Sequence, residues 1–155
     1  MDSQRRNRIL GSVLGAVLCI LAVRASAAEA VPDFAKAIPM ADAVAGAGIA
    51  KRCEACHDWT KGGPNKIGPN LFAIVGRPKA SHPGFDYSAA MKAKTGAWSY
   101  ADLFDFLRQP AAFIPGTKMS FAGLPKVQDR LNLIAFLRMQ ADRPAPLPAA
   151  GVPVR

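Results

Sequence analysis

Hydrophobic and polar positions divide the 155-residue chain into five stretches. Residues 1–8 are polar and basic, with Arg5, Arg6 and Arg8, and read as a cytoplasmic n-region. Residues 9–23, ILGSVLGAVLCILAV, carry no charge; Arg24 and then ASAAEA follow. This run reads either as a secretory signal peptide with a cleavage site at Ala25-Ser26-Ala27, or as a retained signal-anchor. A span needs about 20 apolar residues. Residues 9–28 supply them if Arg24 snorkels to the interface. In both readings the arginines stay cytoplasmic and everything downstream crosses the membrane. Residues 29–41, with Pro32 and Pro39, read as a linker, and residues 42–141 as a folded domain. Residues 142–155 end in RPAPLPAAGVPVR, which reads as a flexible tail.

Inside the domain the periodicity is helical. Residues 42–51 are rich in alanine and glycine and read as a first helix. Ser99 is placed to cap a helix over residues 100–109, with Leu103, Phe106 and Leu107 on one face and Pro110 as its stop. Pro125 is the expected start of a last long helix, on which Leu133, Phe136 and Leu137 form a stripe. Gly46, Ala47 and Gly48 are small enough to let that helix approach the first closely. No alternating strand pattern occurs, so the expected class is all-α.

Charge and cysteine count narrow the function. The net charge is +9, and residues 42–141 carry thirteen Lys/Arg against seven Asp/Glu, an excess of +6. Such an excess favours an anionic partner. The domain has no basic run and no aromatic-interleaved basic strand, so nucleic acid is disfavoured. There are three cysteines, an odd number, which excludes a complete disulfide framework. Cys19 lies within the apolar run, behind a Leu18 too bulky for a lipoprotein signal, and reads as filler.

The remaining two cysteines stand in Cys53-Glu54-Ala55-Cys56-His57. Cysteines three apart share one helical face, so both sulfurs can reach the two vinyl groups along one haem edge while His57 turns its imidazole to the iron. The C-x-x-C-H pattern is that of c-type haem attachment. A thioredoxin-like pair would need a βαβ setting, and a zinc site would need four ligands; beyond this motif only His82 is available. A sixth iron ligand has two kinds of candidate, His82 and the methionines. Met119 stands out because it lies in the turn-forming Ile114-Pro115-Gly116-Thr117-Lys118-Met119. Gly68-Pro69-Asn70 is either an ordinary turn or the source of a Pro69 carbonyl that orients His57.

Residues 42–140 resemble class I cytochromes c of mitochondria and bacteria nearly end to end. The likeness is carried in series by GGPNKIGPNL, GRPKASHPGFDYSAAMKAK, LFDFLRQP, IPGTKMSFAGL and DRLNLIAFLR. The N-terminal run, the PKASH loop and the Pro-rich tail are similar to membrane-anchored cytochromes c of alphaproteobacterial respiratory chains. The resemblance implies a class I cytochrome c fold around one covalently bound haem c, preceded by an N-terminal apolar helix. It implies thioethers from Cys53 and Cys56, axial ligation by His57 and Met119, and a carbonyl from Pro69 to His57. Arg77, Tyr87 and Trp98 match residues that bond the haem propionates. Two positions depart from the pattern: Phe106 replaces a tyrosine beside the methionine ligand, and Met91 replaces a polar asparagine. Both changes remove hydrogen bonding from the methionine side.

The implied function is a non-enzymatic electron carrier that binds no small-molecule substrate. Its implied donor is a quinol-oxidising cytochrome bc complex and its acceptor a haem–copper terminal oxidase. Lys51, Arg52, Lys66, Lys118 and Lys126 are expected around the exposed haem edge, where they would steer acidic partners. The implied location is the periplasmic side of the inner membrane, N-terminally anchored, or the soluble periplasm if the signal is cleaved. A haem enzyme such as a peroxidase would need an open sixth position, and a module serving one dedicated dehydrogenase would carry the same sequence features.

Overall fold

The computed structural model describes residues 30–149. The chain divides at Ala30 and Val31 into two compact units. The n-region, the apolar run and the expected N-terminal helix lie outside the described residues. Among the described residues there are six helices and no strand: α1 (Phe34–Met40), α2 (Ala43–Ala50), α3 (Ala89–Lys92), α4 (Tyr100–Arg108), α5 (Pro110–Phe113) and α6 (Val127–Met139). One isolated antiparallel bridge joins Pro78 to Ala97.

α2 and α6 form the central pair. Asp42 caps α2 through Val44 and Ala45, and its own amide donates to Asn132 Oδ1 on α6 (3.0 Å). Of the three small residues expected at this crossing, Gly46 is the one that makes it possible: a Cβ there would collide with the Asn132 carbonyl. Gly48 faces open space. Ser99 caps α4 through Asp102; Leu103, Phe104, Phe106 and Leu107 are buried, and α4 packs on α6. α6 begins two residues later than Pro125 suggests, because Pro125 turns its carbonyl to Arg130 Nη1 (2.9 Å). Arg130 is fully buried; it also bonds the Leu124 carbonyl (2.6 Å) and stacks 4.1 Å over the Phe104 ring. Pro110, expected only to stop α4, occupies the first turn of α5, where its missing N–H costs nothing.

Two expectations are corrected. The linker at 29–41 contains α1, capped by the Asp33 carboxylate. Phe34 and Ile38, four apart on one face, are both buried, and Phe34 packs on Tyr100 and Phe104 with ring centroids 6.4 and 5.6 Å away. Pro32 precedes the helix and Pro39 sits in its last turn, so neither proline prevents it. The tail at 142–155 has no regular element through residue 149, yet this part of it is held in place. The Ala145 carbonyl accepts from Tyr100 Oη (3.1 Å) and Arg138 Nε (2.8 Å), and Lys61 pairs with Asp142 (2.7 Å). Carbonyls need no side-chain pattern to find donors, which is why composition alone reads this segment as free.

Candidate haem site

α2 ends at Ala50, and the chain continues as a series of hydrogen-bonded turns. Cys53 N donates to the Ala50 carbonyl (2.8 Å), and Cys56 N and His57 N both donate to the Cys53 carbonyl (3.0 and 2.8 Å). These turns keep the pitch a helix would have given, so Cys53, Cys56 and His57 all border one cavity of about 270 Å³. Both thiols are free, and burial raises the pKa of Cys53 against the opposing pull of Arg52.

His57 Nδ1 donates to the Pro69 carbonyl at 2.7 Å. A carbonyl can only accept, so Nδ1 carries the proton and Nε2 keeps its lone pair. Burial holds the imidazole pKa below its ordinary value, with Lys66 adding to the effect and the Pro69 bond opposing it. His57 is therefore a neutral, oriented imidazole whose Nε2 lone pair is not used by Pro69. Pro69 reaches it because Gly68 has no side chain; a Cβ at Gly68 would overlap the His57 ring. Asn70, almost fully buried, organises the loop beneath: its Nδ2 donates to the Thr60 and Gly63 carbonyls (both 3.0 Å) and its Oδ1 accepts from Phe72 N (2.6 Å). Neither Gly68 nor Asn70 was singled out from sequence; the only cue was their place on either side of Pro69.

Met119 borders the same cavity from the loop after α5. The loop begins in a turn closed by Thr117 N to the Ile114 carbonyl (3.0 Å), and the Thr117 hydroxyl accepts from Met119 N (3.2 Å). Phe121 follows, with the Arg52 guanidinium 5.4 Å from its ring centroid.

Arg77, Tyr87 and Trp98 also line the cavity. Arg77 donates to the Phe72 and Asn70 carbonyls (both 2.9 Å) and to His82 Nδ1 (3.3 Å). His82 is thus engaged by Arg77 and is not among the lining residues, which leaves the methionines that do line the cavity, Met119 and Met91. The Tyr87 hydroxyl accepts from His82 N (3.2 Å), keeping its own proton to donate. Trp98 and Arg77 are tied together by Trp98 N to the Arg77 carbonyl (2.9 Å). The two departures, Phe106 and Met91, are buried and face this cavity too. Among the described residues no three His, Cys, Asp or Glu side chains converge on a metal position, and a helix rather than a strand precedes the cysteine pair. The zinc and thioredoxin-like alternatives therefore lack their required settings. Two thiols, one neutral imidazole, two thioethers (Met91 and Met119) and a largely apolar wall fit a covalently held haem.

No family model matches the chain. A cytochrome c homolog of Bradyrhizobium diazoefficiens is 40% identical, over 97% of this chain and 100% of its own length. The chain belongs to the cytochrome c family. Cytochrome c of Guizotia abyssinica is 47% identical over 107 residues, 68% of this chain and 96% of that protein. A cytochrome c homolog of Rickettsia prowazekii is 51% identical over 98 residues, which span 63% of this chain and 56% of the relative. Among solved structures, cytochrome cH from Methylobacterium extorquens superposes with a TM-score of 0.59 at 35% identity, covering 63% of this chain and 98% of that one. This cytochrome c is thus of the class I type with alphaproteobacterial relatives, an electron-transfer protein whose cofactor is covalently attached haem c at the Cys53-x-x-Cys56-His57 motif.

Proposed function

We propose that this cytochrome c carries single electrons from a quinol-oxidising cytochrome bc complex to a haem–copper terminal oxidase, on the periplasmic side of the inner membrane. The observation that carries this reading is the shared cavity of Cys53, Cys56, His57 and Met119. The haem iron supplies the one-electron chemistry when bound. Cys53 and Cys56 would hold the haem by thioethers, and His57 and Met119 would ligate its iron, leaving no position for a substrate. Pro69 fixes the His57 tautomer. Tyr87 and Trp98 would supply donors to the propionates, and Arg77 would add positive charge. A thioether ligand favours the reduced iron relative to harder ligands.

The surface fits partner proteins with acidic docking faces. Lys51, Arg52, Lys66, Lys118 and Lys126 are all exposed; Arg52 and Lys118 line the cavity together with Ile67, which is 80% exposed. Retention of residues 9–28 as an anchor would tether the domain near its partners and raise their effective concentration. Because α1 is folded onto the domain, the free span from residue 28 to Phe34 reaches only about 20 Å when extended. No helix among the described residues is long and apolar enough to cross a membrane. Membranes containing the bc complex should reduce the holoprotein at a rate that falls steeply with ionic strength. A salt-independent rate would contradict the steering claim. Mass spectrometry of the mature holoprotein decides the anchor: a chain beginning at Ala28 would rule it out.

A further inference from the structure

The loop that carries Met119 packs Met119 and Phe121 against the core, but it makes few hydrogen bonds to the rest of the domain. Among the described residues, the hydrogen bonds that tie residues 115–122 to the chain beyond Ile114 all pass through Lys118. Its Nζ donates to Asp86 Oδ2 at 2.7 Å and to the Asp86 carbonyl at 3.2 Å. Asp86 is held from its other side by Lys92 Nζ, 3.1 Å from Oδ1, and Lys92 ends the short helix that Ser88 caps. Lys118 lines the cavity, and Asp86 stands between two residues that do. Lys118 and Met119 line it from one segment, and Phe85 and Tyr87, on either side of Asp86, line it from the other.

We infer that Asp86 is a positioning residue for Met119: through Lys118 it clasps the ligand loop shut against the segment that carries Tyr87. The inference rests on Met119 being the iron ligand. The carboxylate is ionised at neutral pH, since its bonds with Lys118 and Lys92 hold its pKa below the ordinary aspartate value. An exposed ion pair adds little to global stability. What it biases here is a local equilibrium, between a loop that presents Met119 and one that has swung away. The carbonyl contact adds geometric selection, because one ammonium must satisfy two Asp86 oxygens at once.

The test is a titration of the ferric holoprotein with imidazole, which takes the sixth iron position only when Met119 has left. Apparent affinity then scales with the fraction of open loop. Asp86→Asn should bind imidazole about two- to five-fold more tightly than the wild type at low salt. Asp86→Glu, which keeps the carboxylate, should return toward the wild-type value. At about 1 M salt the difference between wild type and Asp86→Asn should collapse. Met119→Ala, in the same titration, should bind far more tightly than either. If Met119→Ala does so while Asp86→Asn equals the wild type, the clasp is refuted and the ligand assignment stands. A difference that persists in high salt, or that Asp86→Glu does not reverse, also refutes it. If Met119→Ala leaves the imidazole affinity unchanged, the ligand assignment and the clasp both fall.

Discussion

Gly68 is glycine because the His57 ring occupies the space a side chain would need. Alanine there forces apart the two groups whose contact fixes the imidazole. Gly68→Ala should lower holoprotein stability by about 1–3 kcal/mol in urea unfolding, with a visible change in the haem spectrum. An unaltered spectrum and midpoint would show that the loop absorbs the methyl group. Phe106 lines the same cavity as Met119. Phe106→Tyr should shift the reduction potential; identical potentials would mean that the new hydroxyl does not reach the ligand. For Asp86 the sign of the pH dependence follows from its depressed pKa. Its contribution is present above the ordinary aspartate value of about 3.9 and is lost as pH falls through the lower folded value. Any stability advantage of the wild type over Asp86→Asn, small because the pair is exposed, should therefore be lost in acid, and an advantage that grows there would reverse the assignment. At this scale the attachment motif and the place of Met119 on the cavity wall were legible because their spacing or turn chemistry is local. Gly68, Asn70 and Asp86 were not, because each acts by close approach or by a bond to another loop, which leaves no period in the sequence.

The elements divide along the same line. α2, α4 and α6 have caps or apolar stripes that the sequence displays, and their bounds fall within two residues of the expected ones. α3 and α5, with four residues each, are too short to show a period. α1 was masked by its prolines: two buried side chains, Phe34 and Ile38, are its whole apolar face. That face predicts a large effect for a segment read as linker. Phe34→Ala should cost about 3–5 kcal/mol, measured by the denaturant midpoint of the holoprotein. A change near zero would restore the linker and detach α1 from the core.

On the scale of the molecule, a helical shell of limited core is completed by a cavity whose walls come from segments spread between residues 50 and 137. A protein built this way places its ligands only when the whole chain is folded, so ligation reports the fold and the function together. The measurement that tests this most directly is the charge-transfer band between a methionine ligand and ferric haem. The native ferric protein should show it, and Met119→Ala should lose it while keeping its covalently bound haem. A band that survives in Met119→Ala would place another residue on the iron and overturn the site.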